Sequence, residues 1–301
     1  MGKTRKKISN GARRRRRRKY IRNGILILGL FFVGIHLFGN KDKSEEKKVS
    51  RRKEWEVIEA NAKVADVEED AKEVDEKDEE LSWGSYHTKE EMKEEEWNKL
   101  PENLKELYDK NEEAREFIVN YWENYEKEFD INLDEYENCK EVPLLIQWDK
   151  RWGYEEYSGA VFGLTGCGPT CLSMAAIYLK QDVSLTPKWM MEFSVRNGYS
   201  VTGHGSAWAL IGEGAEKLGL ESEELPLLES KMKERLENGC VIIAVLGPGD
   251  FTDKGHFIVI TDYEEEGFII RDPNSYKNTN KKWSYEELEG QIKNLWALSG
   301  R

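Results

Sequence analysis

The chain has 301 residues, 35% of them charged, and a formal net charge of −12. That length holds one core domain plus substantial extensions. The net charge conceals an asymmetry that excludes a uniformly acidic protein: residues 1–22 carry 12 Lys or Arg and no acid, and the remainder nets −24.

A basic block alone would suit nucleic acid, but the segment after it points elsewhere. Tyr20 to Phe38 is apolar except for Arg22 and Asn23, and at ~1.5 Å per residue it spans roughly 28 Å, close to a bilayer core. Cations ahead of an apolar segment orient it with the N-terminus in the cytoplasm. The expected organisation is a basic cytoplasmic terminus over residues 1–22 and a transmembrane signal anchor over 23–39. Residues from 40 onward would lie outside the cell membrane, and no nucleic acid partner is expected. A cleaved signal peptide is the alternative; Gly39-Asn40-Lys41-Asp42-Lys43 is a poor cleavage site.

Residues 40–99 are dense in charge. Val57, Val64 and Ala71 recur every seven residues, as do Ala60, Val67, Val74 and Leu81. This is a heptad seam of small residues, expected to form a helical stalk with weak self-association. Trp83-Gly84-Ser85 breaks the pattern as a hinge. From Leu100-Pro101 an amphipathic pattern begins, carried by Leu104, Leu107, Tyr108, Ala114, Phe117, Ile118, Tyr121 and Trp122. Such a face needs a partner surface, which makes residues 100–301 the candidate catalytic domain.

Gln147-Trp148-Asp149-Lys150-Arg151-Trp152 comes next, and Gln147 lies 20 residues before Cys167. A side-chain amide there can donate to a developing oxyanion beside the Cys167 backbone N–H. Asp149 reads as a residue that ties this loop down. Gly166-Cys167-Gly168-Pro169-Thr170 then opens an apolar-periodic helix. The glycines admit a close backbone approach, and Pro169 suits a first helical turn. The positive helix end favours a thiolate, the form that attacks carbonyl carbon. Cys167 is therefore the candidate nucleophile.

Helices are expected over 187–197, 206–218, 229–237 and 285–292, and strands over 240–246, 256–262 and 268–271. Of the four histidines, His36 lies in the apolar segment and His87 in the charged linker. His256 opens a strand-like run, and Asp272 ends the next one after a turn over Glu264–Gly267. A hairpin of that kind can bring the two side chains together, as a Cys–His–Asp triad needs. His204, in a glycine-rich loop, is the alternative base. Asp262 and Asn274 are rivals to Asp272, although Asp262 is six residues past His256 on its strand and Asn274 reads as a turn residue.

Together the Gln147-Trp148-Asp149 and Arg151-Trp152 run, Gly166-Cys167-Gly168-Pro169-Thr170, Gly255-His256-Phe257-Ile258-Val259 and Asp272-Pro273 resemble the papain-like cysteine peptidases of the bacteriocin-processing type, family thirty-nine, in their stand-alone branch. The resemblance covers Pro101 to the C-terminus. It implies a papain-like α+β fold, with N-terminal helices packed on an antiparallel sheet. It also implies Cys167 as nucleophile, His256 as base, Asp272 as orienting carboxylate and Gln147 in the oxyanion hole. Transporter-linked members cut after a double glycine; nothing in this chain suggests a transporter, so that specificity is not carried over.

The expected activity is hydrolysis of a peptide or amide bond, with a peptide or cell-wall peptide as substrate. The alternatives are a cell-wall amidase or transpeptidase on the same fold, and an inactive binding module. No cofactor, metal or nucleotide is expected: the Cys and His spacings match no zinc pattern and no phosphate-cradling loop is present. Cys139, Cys171 and Cys240 remain once Cys167 is assigned. Cys171, one turn further along the helix, reads as a packing residue, and nothing favours a Cys139–Cys240 disulfide.

Overall fold

The computed structural model describes residues 86–300. The basic terminus, the anchor over 23–39 and the heptad seam lie outside the described residues. Among the described residues no helix is long and apolar enough to cross a membrane.

Four short helices come first: α1 (Glu94–Lys99), α2 (Glu102–Lys110), α3 (Arg115–Val119) and α4 (Tyr121–Asn124). Their apolar faces meet in one cluster. Met92, Leu104, Phe117, Ile118 and Tyr121 pack there with Tyr154 and Val161 from further along the chain. Residues 86–99, within the span read as stalk, share in this packing: Met92 is buried, Trp97 packs against the cluster, and Asn120 Nδ2 and Oδ1 both bond the backbone of Tyr86.

A small hairpin, β1 (Glu156–Tyr157) and β2 (Ala160–Val161), leads into α5 (Phe162–Thr165), then α6 (Cys167–Lys180) and α7 (Pro187–Arg196). Helix α7 starts where the sequence signals it: Thr186 Oγ1 caps the Trp189 N–H at 3.2 Å and Pro187 fills the first helical position.

The stretch 206–218 is not the single helix expected. Ser206 belongs to β4 (Gly205–Ser206), paired with β3 (Ser200–Val201); a 3-10 turn over Trp208–Leu210 comes after it, and only α8 (Glu213–Lys217) is α-helical. Gly205, Gly212 and Gly214 weaken helix propagation. The Tyr157 hydroxyl, 2.6 Å from Ser206 Oγ, holds that residue in the hairpin.

The main sheet contains β5 (Leu220–Glu224), β6 (Val241–Leu246), β7 (His256–Glu264), β8 (Gly267–Arg271) and β9 (Ile292–Gly300), in the order β5-β9-β6-β7-β8 and antiparallel throughout. Helices α9 (Glu229–Glu237), α10 (Tyr276–Thr279) and α11 (Tyr285–Glu289) fill the connections. Strand β6 is buried at every position because both sheet faces are covered. Ile243, Val245, Val259 and Leu298 face the core built on α6 and α7. Ile242, Ala244, Ile258 and Ile270 face a second core with Met232, Leu236 and Leu288 from α9 and α11. Each fully buried aliphatic side chain contributes about 1.5–3 kcal/mol before entropy costs.

Two strands of the main sheet were absent from the sequence expectation, as were the two small hairpins. The segment 285–292, expected to be helical throughout, stops at Glu289, and β9 begins at Ile292. Strand β5 reads Leu-Glu-Ser-Glu-Glu, with no apolar alternation, and exists because it pairs with β9 at the sheet edge.

Candidate active site

Cys167 is the first residue of α6, after a single residue, Gly166, that separates it from α5. The turn is locked from within: Thr170 donates to the Gly166 carbonyl through its N–H (3.0 Å) and its Oγ1 (2.8 Å). Both flanking glycines are required by packing. A Cβ on Gly166 would lie 2.6 Å from the Phe162 ring and carbonyl, and one on Gly168 would lie 2.8 Å from Ser206 Cβ and Oγ. The glycines thus let the protein's own walls close on the turn, whereas the sequence suggested room for a substrate. Behind it Tyr157 bonds Ser206 and Ser194, at 2.6 and 2.8 Å. Cys167 itself is only half-buried.

Helix α6 packs across β7, whose first residue is His256. His256 is buried, and its Nε2 lies 2.7 Å from Asp272 Oδ1. Because an ionised carboxylate only accepts, Nε2 carries the proton and Nδ1 is left for Cys167. Burial works against a charged imidazolium; the Asp272 carboxylate and the adjacent Cys167 side chain outweigh it and push His256 up to about 10.

Asp272, the residue after β8, is 1% exposed. Three donors hold its carboxylate. His256 and the Asn274 N–H (2.8 Å) meet Oδ1, while Asn278 Nδ2 (2.8 Å) meets Oδ2. Its own N–H donates to Thr279 Oγ1 at 2.9 Å. Asn278 and Thr279, both in α10, were missed by the sequence reading. The available signal was the cap: Ser275 Oγ accepts the Asn278 N–H at 3.1 Å and sets a helical turn directly after Asp272-Pro273-Asn274.

Gln147 is buried and links the two halves. Its N–H donates to Pro273 O at 2.7 Å, beside Asp272. Its Nε2 donates to Gly163 O at 2.8 Å, four residues before Cys167. Asp149 anchors the loop through Arg151, whose N–H and Nε meet Oδ1 at 2.9 and 3.1 Å.

The rivals lie elsewhere. His204 is exposed in the β3–β4 turn. Asp262 is exposed and accepts the Tyr263 N–H. Asn274 serves Asp272 with its backbone, and its Oδ1 faces Asn111 Nδ2 at 3.3 Å. All four cysteines are free thiols; Cys171 is fully buried, and burial, with the Cys167 and Asp272 charges, pushes its thiol well up.

The structure therefore brings Cys167, His256, Asp272 and Gln147 together around one end of the sheet. No curated protein matches the chain. Three solved structures are similar over 53% of it. One is the peptidase domain of Streptococcus ComA, a bi-functional ABC transporter involved in a quorum-sensing pathway (19% identity, 99% of that chain, TM-score 0.39). Another is a C39-like peptidase from Bacillus anthracis (15% identity, 95% of that chain, TM-score 0.38). The third is a double glycine motif protease from an AMS/PCAT transporter, in complex with its leader peptide (21% identity, 92% of that chain, TM-score 0.36). The family model described as Peptidase_C39 like family matches residues 139–301, just over half of the chain. The chain belongs to the Peptidase_C39 like family, a group of the papain-like cysteine peptidase type that its motifs resemble.

Proposed function

We propose that this protein is a membrane-anchored, extracytoplasmic cysteine peptidase that hydrolyses peptide or amide bonds through Cys167, His256, Asp272 and Gln147. The observation that carries the reading is the buried His256–Asp272 pair beside a half-buried thiol at the start of α6. The Cys167 thiol passes its proton to His256 Nδ1, and the thiolate attacks the carbonyl carbon as the carbonyl π pair moves onto oxygen. That oxyanion takes the Cys167 N–H and the second Nε2 hydrogen of Gln147, the first being committed to Gly163 O. Collapse expels the amine, which takes the proton from His256 and leaves a thioester. Water then loses a proton to His256, attacks the thioester and releases the acid, restoring the thiol.

Alkylation of Cys167 by iodoacetamide tests the pair without knowledge of the substrate. His256→Ala is expected to slow alkylation of Cys167 and to change its pH profile relative to the wild-type chain. Gln147→Ala leaves the pair in place, so it is expected to alkylate like wild type while turnover of a peptide pool falls by about 10²–10³-fold. An ordinary thiol profile in the wild type, unchanged in His256→Ala, would favour the binding-module reading. Products from purified cell wall in place of peptide would move the assignment to an amidase.

The anchored placement rests on the 12 cations of residues 1–22 and the apolar stretch after them. The chain is expected to stay with membranes through alkaline carbonate extraction, and its release would remove the anchor.

A further inference from the structure

The residues that fix Asp272 are themselves held from upstream of the family span, which starts at residue 139. Glu113 accepts the first two N–H groups of α10 with its two oxygens, Tyr276 N at 2.9 Å and Lys277 N at 2.8 Å. These donors have no partner within the helix, and a carboxylate suits a helix N-terminus electrostatically. Asn111 Nδ2 donates to Asn274 O at 2.9 Å, and Asn111 Oδ1 accepts the Glu113 N–H at 3.0 Å, which stiffens the pair. Two routes thus reach the Asp272 carboxylate. One runs from Glu113 through α10 to Asn278 and Oδ2, the other from Asn111 through Asn274 to Oδ1. The same short stretch also supports the other side of the site. Phe117 lies so close beneath Gly163 that a Cβ there would sit 2.7 Å from its Cζ, and Gly163 O is the acceptor that holds Gln147.

We propose that Asn111 and Glu113 are positioning residues for the His256–Asp272 pair, so that the turn between α2 and α3, upstream of residue 139, sets the alignment of the site. This rests on the reading of Cys167, His256 and Asp272 as the reacting machinery. A second contact from the same stretch supplies a control: Lys110 Nζ pairs with Asp253 Oδ2 at 2.6 Å, in the loop before β7 and not on the Asp272 turn.

The test tracks the His256 ring by NMR in the full-length chain with carbon-13 histidine, the resonance being identified by its loss in His256→Ala. In the wild type His256 is expected to titrate well above 6.5. In Asn111→Ala and Glu113→Ala the midpoint is expected to fall by about one pH unit, tenfold in the imidazolium-to-imidazole ratio. Glu113→Gln, which loses the charge but keeps one acceptor, is expected to fall between, and Lys110→Ala to stay at the wild-type value. If Glu113→Ala does not fold, Asn111→Ala and Glu113→Gln carry the comparison. An unmoved midpoint in folded variants would reduce the contacts to scaffolding. Equal shifts in Glu113→Gln and Glu113→Ala would assign the effect to the charge alone, and either result overturns the proposal. If the wild type cleaves nothing but the midpoint still moves, the peptidase reading fails and the positioning role stands. A wild-type His256 that titrates near 6.5 overturns both.

Discussion

Replacing Cys167 with alanine is expected to lower kcat by about 10⁴–10⁶-fold, leaving only what a bound, polarised carbonyl gains without a nucleophile. The size of the effect comes from the site's composition. The thiol one turn further along α6 cannot take over: Cys171 is sealed in the core, and its thiol is the harder to ionise for it. Serine at 167 preserves the shape but is a far weaker nucleophile at neutral pH, so Cys167→Ser should be nearly as inactive. Both changes remove little packing from a half-buried position, and thermal unfolding should move only slightly. Single-turnover measurement on a cleaved peptide, beside an unfolding curve, checks the prediction. A folded Cys167→Ala that keeps a tenth of wild-type turnover would remove Cys167 from the mechanism.

Asp272→Asn should cost about 10²–10⁴-fold in kcat/KM, and its pH signature separates orientation from charge. Asp272 is the main influence that raises His256 against its burial, so a neutral amide must lower the His256 pKa. With the imidazolium as the active partner, wild-type activity is expected to hold until His256 loses its proton at about 10, and the alkaline limb of Asp272→Asn should lie at lower pH. Stability carries the same sign. A histidine raised from 6.5 to about 10 contributes stability that is fully present below pH 6.5 and is lost as pH rises through about 10. The gap in Tm between wild type and Asp272→Asn should therefore be wide at pH 6 and narrow above pH 10. A gap that widens with pH would mean that His256 is neutral in the folded protein.

Much of this arrangement was legible because its signals are local. Gly-Cys-Gly-Pro marks a turn into a helix from backbone sterics alone, and the structure starts α6 at Cys167. The apolar runs after Cys240 and His256, with a short turn before Gly267, mark adjacent strands, and the sheet pairs them. Two adjacent strands fix where their ends lie, which is why His256 and Asp272 could be matched from sequence. Other expectations were lost to long-range competition. The 206–218 stretch has helical periodicity, yet Ser206 is claimed by Tyr157, 49 residues earlier. Strand β9 was missed because its neighbours in space, β5 and β6, are far from it in the chain.

The sequence by itself determined which residue types stand at turns and strand ends, because chain stereochemistry and apolar periodicity act over a few residues. Only the tertiary structure decided what holds those residues in place. The Gly163 anchor for Gln147, 16 positions on, and the reach of Asn111 and Glu113 across more than 160 positions are polar contacts between separate segments. A hydrogen bond leaves no periodicity in the sequence; its partner is chosen by where burial of the three cores brings the chain together.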